Sequence, residues 1–249
     1  MDPRISARRT AVTREQGRRR LRVLLILAGL SVLLVGGWFL AHSSLFSGRA
    51  ITVVGAVHET PAEVVADAGL SDHPALLDIN TGAAARGVER LPWVRTASVS
   101  THWPDGVRIA VTEQVPRLVM QGAGGTWAAL TTEGRVLSVD SVRGPGLVLV
   151  SGPQPPGPPG TVLGAKDQAA LRVAATLPAS FGAQVASVGV EPGGWVQLTM
   201  TTPILVDIGS PSQLEAKYED VTSILAGATL HNGDVIDVSV PDAPTVTGG

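Results

Sequence analysis

Residues 94–112 read Val-Arg-Thr-Ala-Ser-Val-Ser-Thr-His-Trp-Pro-Asp-Gly-Val-Arg-Ile-Ala-Val-Thr, and this stretch decides the fold of the region around it. Val94 to Trp103 and Gly106 to Thr112 are two strand-like runs joined by Pro104-Asp105-Gly106. In the second run Val107, Ile109 and Val111 alternate with Arg108, Ala110 and Thr112, the period of a half-buried strand. One face therefore belongs to a core, and Val53, Val65, Val99 and Ile109 are expected to meet there.

Moving upstream, Ile51-Thr52-Val53-Val54 is a short β-branched run ended by Gly55. Thr60-Pro61-Ala62-Glu63 reads as a helix start, with Thr60 as N-cap, Pro61 in the first helical position and Glu63 closing a capping box. Val64, Val65 and Ala68 give that helix an apolar side, and Gly69 suits its end. A second short helix is expected from Asn80 through Val88 and Glu89. The element order is β-α-α-β-β.

Further upstream the chain changes character. Residues 1–22 form a basic head with eight arginines against Asp2 and Glu15, and Val23 to Ala41 contains no ionisable residue. As a helix those nineteen residues reach roughly 28 Å, about the thickness of a bilayer's hydrocarbon core. Positive charge flanking such a helix stays in the cytoplasm, and the next arginine is Arg49. The expectation is a single-pass protein, N-terminus inside, with everything after the helix outside. A cleaved signal peptide is the competing reading, with Ala41-His42-Ser43 as its small-x-small site, but the apolar run exceeds the usual ~7–15 residues and the head is long.

Downstream, from Arg117, the pattern becomes a second, mixed α/β domain. Leu118 to Gln121, Trp127 to Thr131 and Arg135 to Val139 read as strands, with a turn at Thr132-Glu133-Gly134. Ser151 to Gly160 is dominated by Pro and Gly and reads as a stiff surface loop. Lys166 to Leu177 has helical composition; Val185 to Val190 and Trp195 to Met200 are strands around Glu191-Pro192-Gly193-Gly194, and Ile204 to Ile208 is another. Ser210-Pro211-Ser212-Gln213 has the form of a helix cap, and Leu214, Tyr218, Val221 and Leu225 fall on one face of the helix that follows. Val235 to Val240 reads as a strand, and residues 241–249, opening with Pro241-Asp242-Ala243-Pro244, as a disordered tail.

Charge and chemistry narrow the function. Beyond the head the chain carries eleven basic and nineteen acidic residues, a net of −8, which argues against binding of nucleic acid. There is no cysteine, so disulfides, thiolate metal sites and thiol catalysis are excluded. The five histidines form no HExxH or similar ligand pair, no serine sits in a GxSxG elbow, and Gly122-Ala123-Gly124-Gly125 lacks the Lys-Ser/Thr of a phosphate loop. Neither metal, cofactor nor catalytic residue is expected. What remains is a binding protein, and a sheet edge with unpaired N–H and C=O groups is a natural binding surface. Val235 to Val240 is such a surface if it lies at an edge; the alternative is an interior or covered strand.

The order and wording of the first domain resemble the POTRA domain of the bacterial FtsQ/DivIB division family. The matching words are Ile51-x-Val53-x-Gly55, Ala68-Gly69-Leu70, Leu76-Leu77-Asp78, Leu91-Pro92-Trp93-Val94, Ala97-x-Val99, Trp103-Pro104 and Ile109-x-Val111-x-Glu113-x-x-Pro116. A departure falls at Thr101-His102, where many relatives place a basic residue. The resemblance implies an α+β chain with a basic head (1–22), a single transmembrane helix (23–41), a POTRA domain (49–116) and a mixed α/β "β-domain" (117–240). It also implies a non-enzymatic scaffold in the plasma membrane, concentrated at the division septum, that holds the FtsB–FtsL pair through its last region. The positions corresponding to that contact are Ile236, Asp237, Val238, Ser239 and Val240, with Lys217 and Tyr218 nearby. A membrane-anchored envelope hydrolase and a POTRA module of envelope or spore assembly are the alternatives; the first lacks a catalytic constellation, and the second usually has tandem domains before a β-barrel.

Overall fold

The computed structural model describes residues 22–39, 47–191, 193–241 and 243–248. The head up to Leu21, the end of the apolar stretch at Leu40 and Ala41, and Pro192 of the predicted turn lie outside the described residues. Helix α1 spans Arg22–Phe39, has a mean hydropathy of 2.1, and none of it is buried in the protein. It is long and apolar enough to cross a membrane.

The next unit is a three-stranded sheet backed by two helices. Its strands are β1 (Ala50–Val54), β2 (Val94–His102) and β3 (Gly106–Glu113), in the order β1-β3-β2. Strand β3 is central, parallel to β1 and antiparallel to β2, so its inward residues carry the core: Val107, Ile109 and Val111 are buried, while Arg108 is exposed. Val53, Val65 and Val99 pack against that cluster as expected. Helix α2 (Pro61–Asp67) begins with the full capping box, Thr60 and Glu63 each satisfying the other's backbone N–H. Helix α3 (Thr81–Val88) is capped by Asn80, whose Oδ1 accepts from the Ala83 N–H at 2.9 Å. The two helices touch where Gly87 faces the Asp67 carbonyl; a Cβ there would collide with that backbone.

The second unit is a nine-stranded mixed sheet in the order β12-β11-β10-β9-β8-β7-β4-β5-β6. Strands β4 (Leu118–Gln121), β5 (Trp127–Leu130) and β6 (Val136–Asp140) follow the predicted runs within a residue or so. Strand β7 (Val148–Ser151) was not anticipated. It runs parallel to both β4 and β8 (Val185–Val190), and the crossover from β7 to β8 is made by α4 (Gln168–Thr176) and the short α5 (Ala179–Gly182). Strand β9 (Val196–Met200) is antiparallel to β8 and to β10 (Leu205–Gly209). Parallel neighbours need a long crossover, and α6 (Leu214–Gly227) supplies the one between β10 and β11 (Val235–Asp237). These helices close one face of the sheet over Val188, Leu198, Val206, Ile208 and Ile236, with Phe181, Tyr218 and Val221 contributed from above.

Three expectations are corrected. The sequence Ser210-Pro211-Ser212-Gln213 does not cap α6. Gln213 sits in the left-handed region at φ 51° with no side-chain cap bond, and the Ser210 hydroxyl bonds Ser212 instead. The strand expected over Val235 to Val240 stops at Asp237, because the Asp237 carboxylate accepts the Ser239 N–H at 2.8 Å and turns the chain. The stretch expected to be a disordered tail carries β12 (Thr245–Thr247), antiparallel to β11.

Because Ile109 is fully buried on the central strand β3 and Arg108 faces outward, Ile109→Ala is expected to lower stability by about 2–5 kcal/mol in urea denaturation. Arg108→Ala is expected to change it by less than about 0.5 kcal/mol. The reverse ordering would place the strand one residue out of register.

Candidate functional site

The seven residues singled out for partner binding fall on three adjoining elements, and the structure sorts them by exposure. Lys217 is 1% exposed; its ammonium donates to the carbonyls of Ile208 (2.8 Å) and Ser210 (2.9 Å) at the end of β10. Tyr218 is buried beside it, its hydroxyl 3.0 Å from both the Val173 carbonyl and the Thr176 hydroxyl, its ring edge-on to Phe181. Ile236 and Val238 are fully buried in the core. Only Asp237, Ser239 and Val240 reach the surface, with Val240 61% exposed. Lys217, Tyr218, Ile236 and Val238 therefore shape this corner of the sheet from within.

The electrostatics of the corner follow from the buried amine. Burial pulls the Lys217 ammonium below its ordinary value, and the nearby Asp237 carboxylate works in the opposite direction. Of the two carbonyls it satisfies, that of Ile208 lies in a bulge where the β9–β10 register shifts between Asp207 and Gly209, and that of Ser210 just past the end of β10. Gly209 has φ 71°, and a side chain there would strike Ser239 and the Trp195 ring. Trp195 itself is 56% exposed.

Of the two readings left open for Val235 to Val240, the covered strand is the one found. Strand β11 lies between β10 and β12, with Val235, Ile236 and Asp237 opposite Thr247, Val246 and Thr245. Strand β12 is exposed along its whole length and has no strand on its far side among the described residues. At the other end of the sheet, β6 is partly closed by the end of the Pro/Gly loop: the Val136 N–H donates to Thr161, and the Gly160 N–H donates to Val136, each at 2.8 Å. The β-branched triplet Thr245-Val246-Thr247 was the available signal for β12, and its brevity hid it.

A second cluster joins the two units. The Arg135 side chain donates from Nη2 to the carbonyls of Arg90 and Leu91, both at 3.0 Å, and from Nε to Pro92 at 3.2 Å. Next to it the His58 ring stacks on Trp93 at 3.7 Å and lies 2.7 Å from Glu113, which also accepts the backbone N–H groups of Val57 and His58. Burial pushes the Glu113 carboxyl up, but the His58 ring and the two backbone donors outweigh it and hold it below its ordinary value. Among the described residues there is no group of three or more His, Asp or Glu placed to hold a metal ion.

Residues 46–114 match the family described as the POTRA domain, FtsQ-type. Over most of its length the chain is also similar to proteins named cell division protein FtsQ. The one from Streptomyces collinus is 32% identical over 244 residues, covering 94% of this chain and 91% of the relative. The chain belongs to the FtsQ family of cell-division proteins. The Streptomyces bingchenggensis relative is 28% identical over 93% of this chain and 90% of its own length, and that of Mycobacteroides abscessus 28% over 91% and 70%. The FtsQ motif words acquire a structural meaning here: Leu91, Pro92, Trp93 and Glu113 are the residues of the joint.

Replacing Lys217 by Met leaves the Ile208 and Ser210 carbonyls without their donor, and a loss of about 1–3 kcal/mol is expected. The folded amine binds its proton less tightly than the unfolded one, so between its lowered value and the ordinary 10.5 the unfolded chain holds more protons. Native stability from this group is therefore gained as pH rises and lost as pH falls through that window. Denaturation at pH 7 and pH 10 is expected to show a larger gap between wild type and Lys217→Met at the higher pH.

Proposed function

We propose that this FtsQ-family chain is a non-enzymatic scaffold of the division septum. In this reading α1 holds it in the plasma membrane with the head in the cytoplasm, and the two folded units outside recruit the FtsB–FtsL pair. The observation that carries the reading is β12. Its outer side has no strand paired to it among the described residues, and Val240 and Val246 are exposed, while the opposite end of the sheet is partly closed. A strand added there by β-augmentation gains main-chain hydrogen bonds from the edge and specificity from the neighbouring side chains. Asp237, Ser239 and Val240 flank that strand, whereas Lys217, Tyr218, Ile236 and Val238 fix the frame behind it. Confinement to the membrane plane raises the effective concentration of each partner, so a short edge suffices.

Removing residues 245–249 separates two modes of capture. If the partner strand pairs with β12, the truncated chain, still folded by circular dichroism, is expected to bind FtsB–FtsL about tenfold more weakly or worse. If the partner instead displaces β12 to pair with β11, the truncation strengthens binding. Unchanged affinity would rule out this edge. Localisation is checked by imaging a fluorescent fusion in dividing cells.

The orientation rests on the arginine excess before Val23. With cysteines introduced at Ser6 and Thr161, only Thr161→Cys is expected to react with an impermeant thiol reagent in intact cells. Equal labelling of both would overturn the assignment.

A further inference from the structure

The cleft on the Arg135 side of the joint has a composition that neither the fold nor the strand edge accounts for. It encloses about 540 Å³ and is lined from the POTRA side by Arg95, Gln114 and Val115, and from the β-domain by Arg117, Thr132 and Arg135, among others. Three of the eleven basic residues beyond the head converge on this one cleft, in a region whose net charge is −8. We propose that it binds an extended, carboxylate-bearing segment of a partner protein, a contact that touches both domains at once.

Each arginine is placed by a separate feature. Arg95 is the extra residue of a β-bulge: Val94 pairs with Glu113 and Thr96 with Thr112, so Arg95 has no opposite number. Bulges re-aim side chains, and here Arg95 and Thr96 are both exposed where strict alternation would bury one. Arg117 is exposed, and its backbone is pinned on both sides, its N–H donating to Leu130 and its carbonyl accepting from Val148. Arg135 is held rigid by its three carbonyls and still contributes a full positive charge.

One native carboxylate already lines the cleft. Glu133, on its rim, is held below its ordinary value by the Thr132 and Thr131 hydroxyls and, in smaller part, by the charge of Arg95. Val115 and Val162, 62% and 60% exposed, flank the arginines. A concave site with guanidinium groups between apolar walls suits a chain in which acidic and apolar side chains alternate, since arginine pairs carboxylates in a defined geometry.

The test uses the full chain in neutral-lipid nanodiscs and a fluorescein-labelled peptide of alternating Val and Glu, with a Val–Gln peptide as its uncharged counterpart. The Glu peptide is expected to bind and the Gln peptide not to. Arg95→Ala combined with Arg117→Ala, folded by circular dichroism, is expected to weaken binding about tenfold or more. Arg117→Gln alone gives the same direction if the double variant fails to fold. Arg108→Ala combined with Arg172→Ala removes equal charge from exposed positions elsewhere and is expected to stay within about twofold. Equal losses from the two pairs, or equal binding of the two peptides, would overturn the proposal. So would displacement of the labelled peptide by phosphatidylglycerol vesicles but not by excess unlabelled Glu peptide, which would make the cleft a lipid site. The FtsB–FtsL capture of the truncated chain is read independently, so failure of either proposal leaves the other standing.

Discussion

The arrangement of the two folded units depends on one side chain reaching across their boundary. Three consecutive carbonyls, those of Arg90, Leu91 and Pro92, leave the end of α3 with no helical partner and converge on the Arg135 guanidinium. A planar fork of donors matches that geometry, whereas the single ammonium of a lysine does not. The stack of His58 on Trp93 and the Glu113 carboxylate fasten the neighbouring loop, and the Gln114 N–H donates to Trp93 at 2.7 Å. Only Gln114, Val115, Pro116 and Arg117 separate β3 from β4, so the second sheet starts from a fixed point and direction.

From that starting point the nine-stranded sheet follows a rule of connection. Wherever two of its strands run parallel and follow one another through a helix, the helix must lie on a face of the sheet; α4 with α5 and then α6 do so, and one apolar cluster includes buried residues from them. Lys217 sits on α6 where it faces the bulged end of β10. A buried charge is tolerated only where its hydrogen bonds are supplied, and here the bulge supplies the Ile208 carbonyl and the residue just past the strand the Ser210 carbonyl. The same buried ammonium that costs desolvation thus fastens the crossover helix, through its two hydrogen bonds, to the strand beside β11, which makes the corner rigid while Lys217 itself stays buried.

How far these features were legible in the sequence depended on the range of the interaction. The POTRA strands, the capping box at Thr60 and the short helix beginning at Asn80 are decided within a few residues, and they stand as read. The cap at Ser210 was equally plausible locally, but its carbonyl is taken by Lys217 from seven residues away, and Gln213 adopts a left-handed turn instead. Strand β7 exists because β4 and β8 flank it, a pairing no local window contains. At the candidate site the face of each residue was predictable from period 2, and the alternation of buried Ile236 and Val238 with part-exposed Asp237 and Ser239 obeys it. That β11 would be covered was not, because the covering strand comes from beyond a Pro-rich turn.

An open sheet has two ends, and this one treats them differently. Towards β6 the stiff Pro/Gly loop returns Gly160 and Thr161 to pair with Val136, which blunts that edge by covering part of it. Towards β12 the edge is left open but is only three residues long, too short to template indiscriminate pairing and long enough for a specific strand held close by other contacts. A weak edge becomes selective when a second contact must be made at the same time, because linked contacts multiply in effect while a stray strand makes only one. An arginine-lined cleft at the domain joint, on the same chain as a short strand edge, would meet that requirement if both the proposed contacts are made.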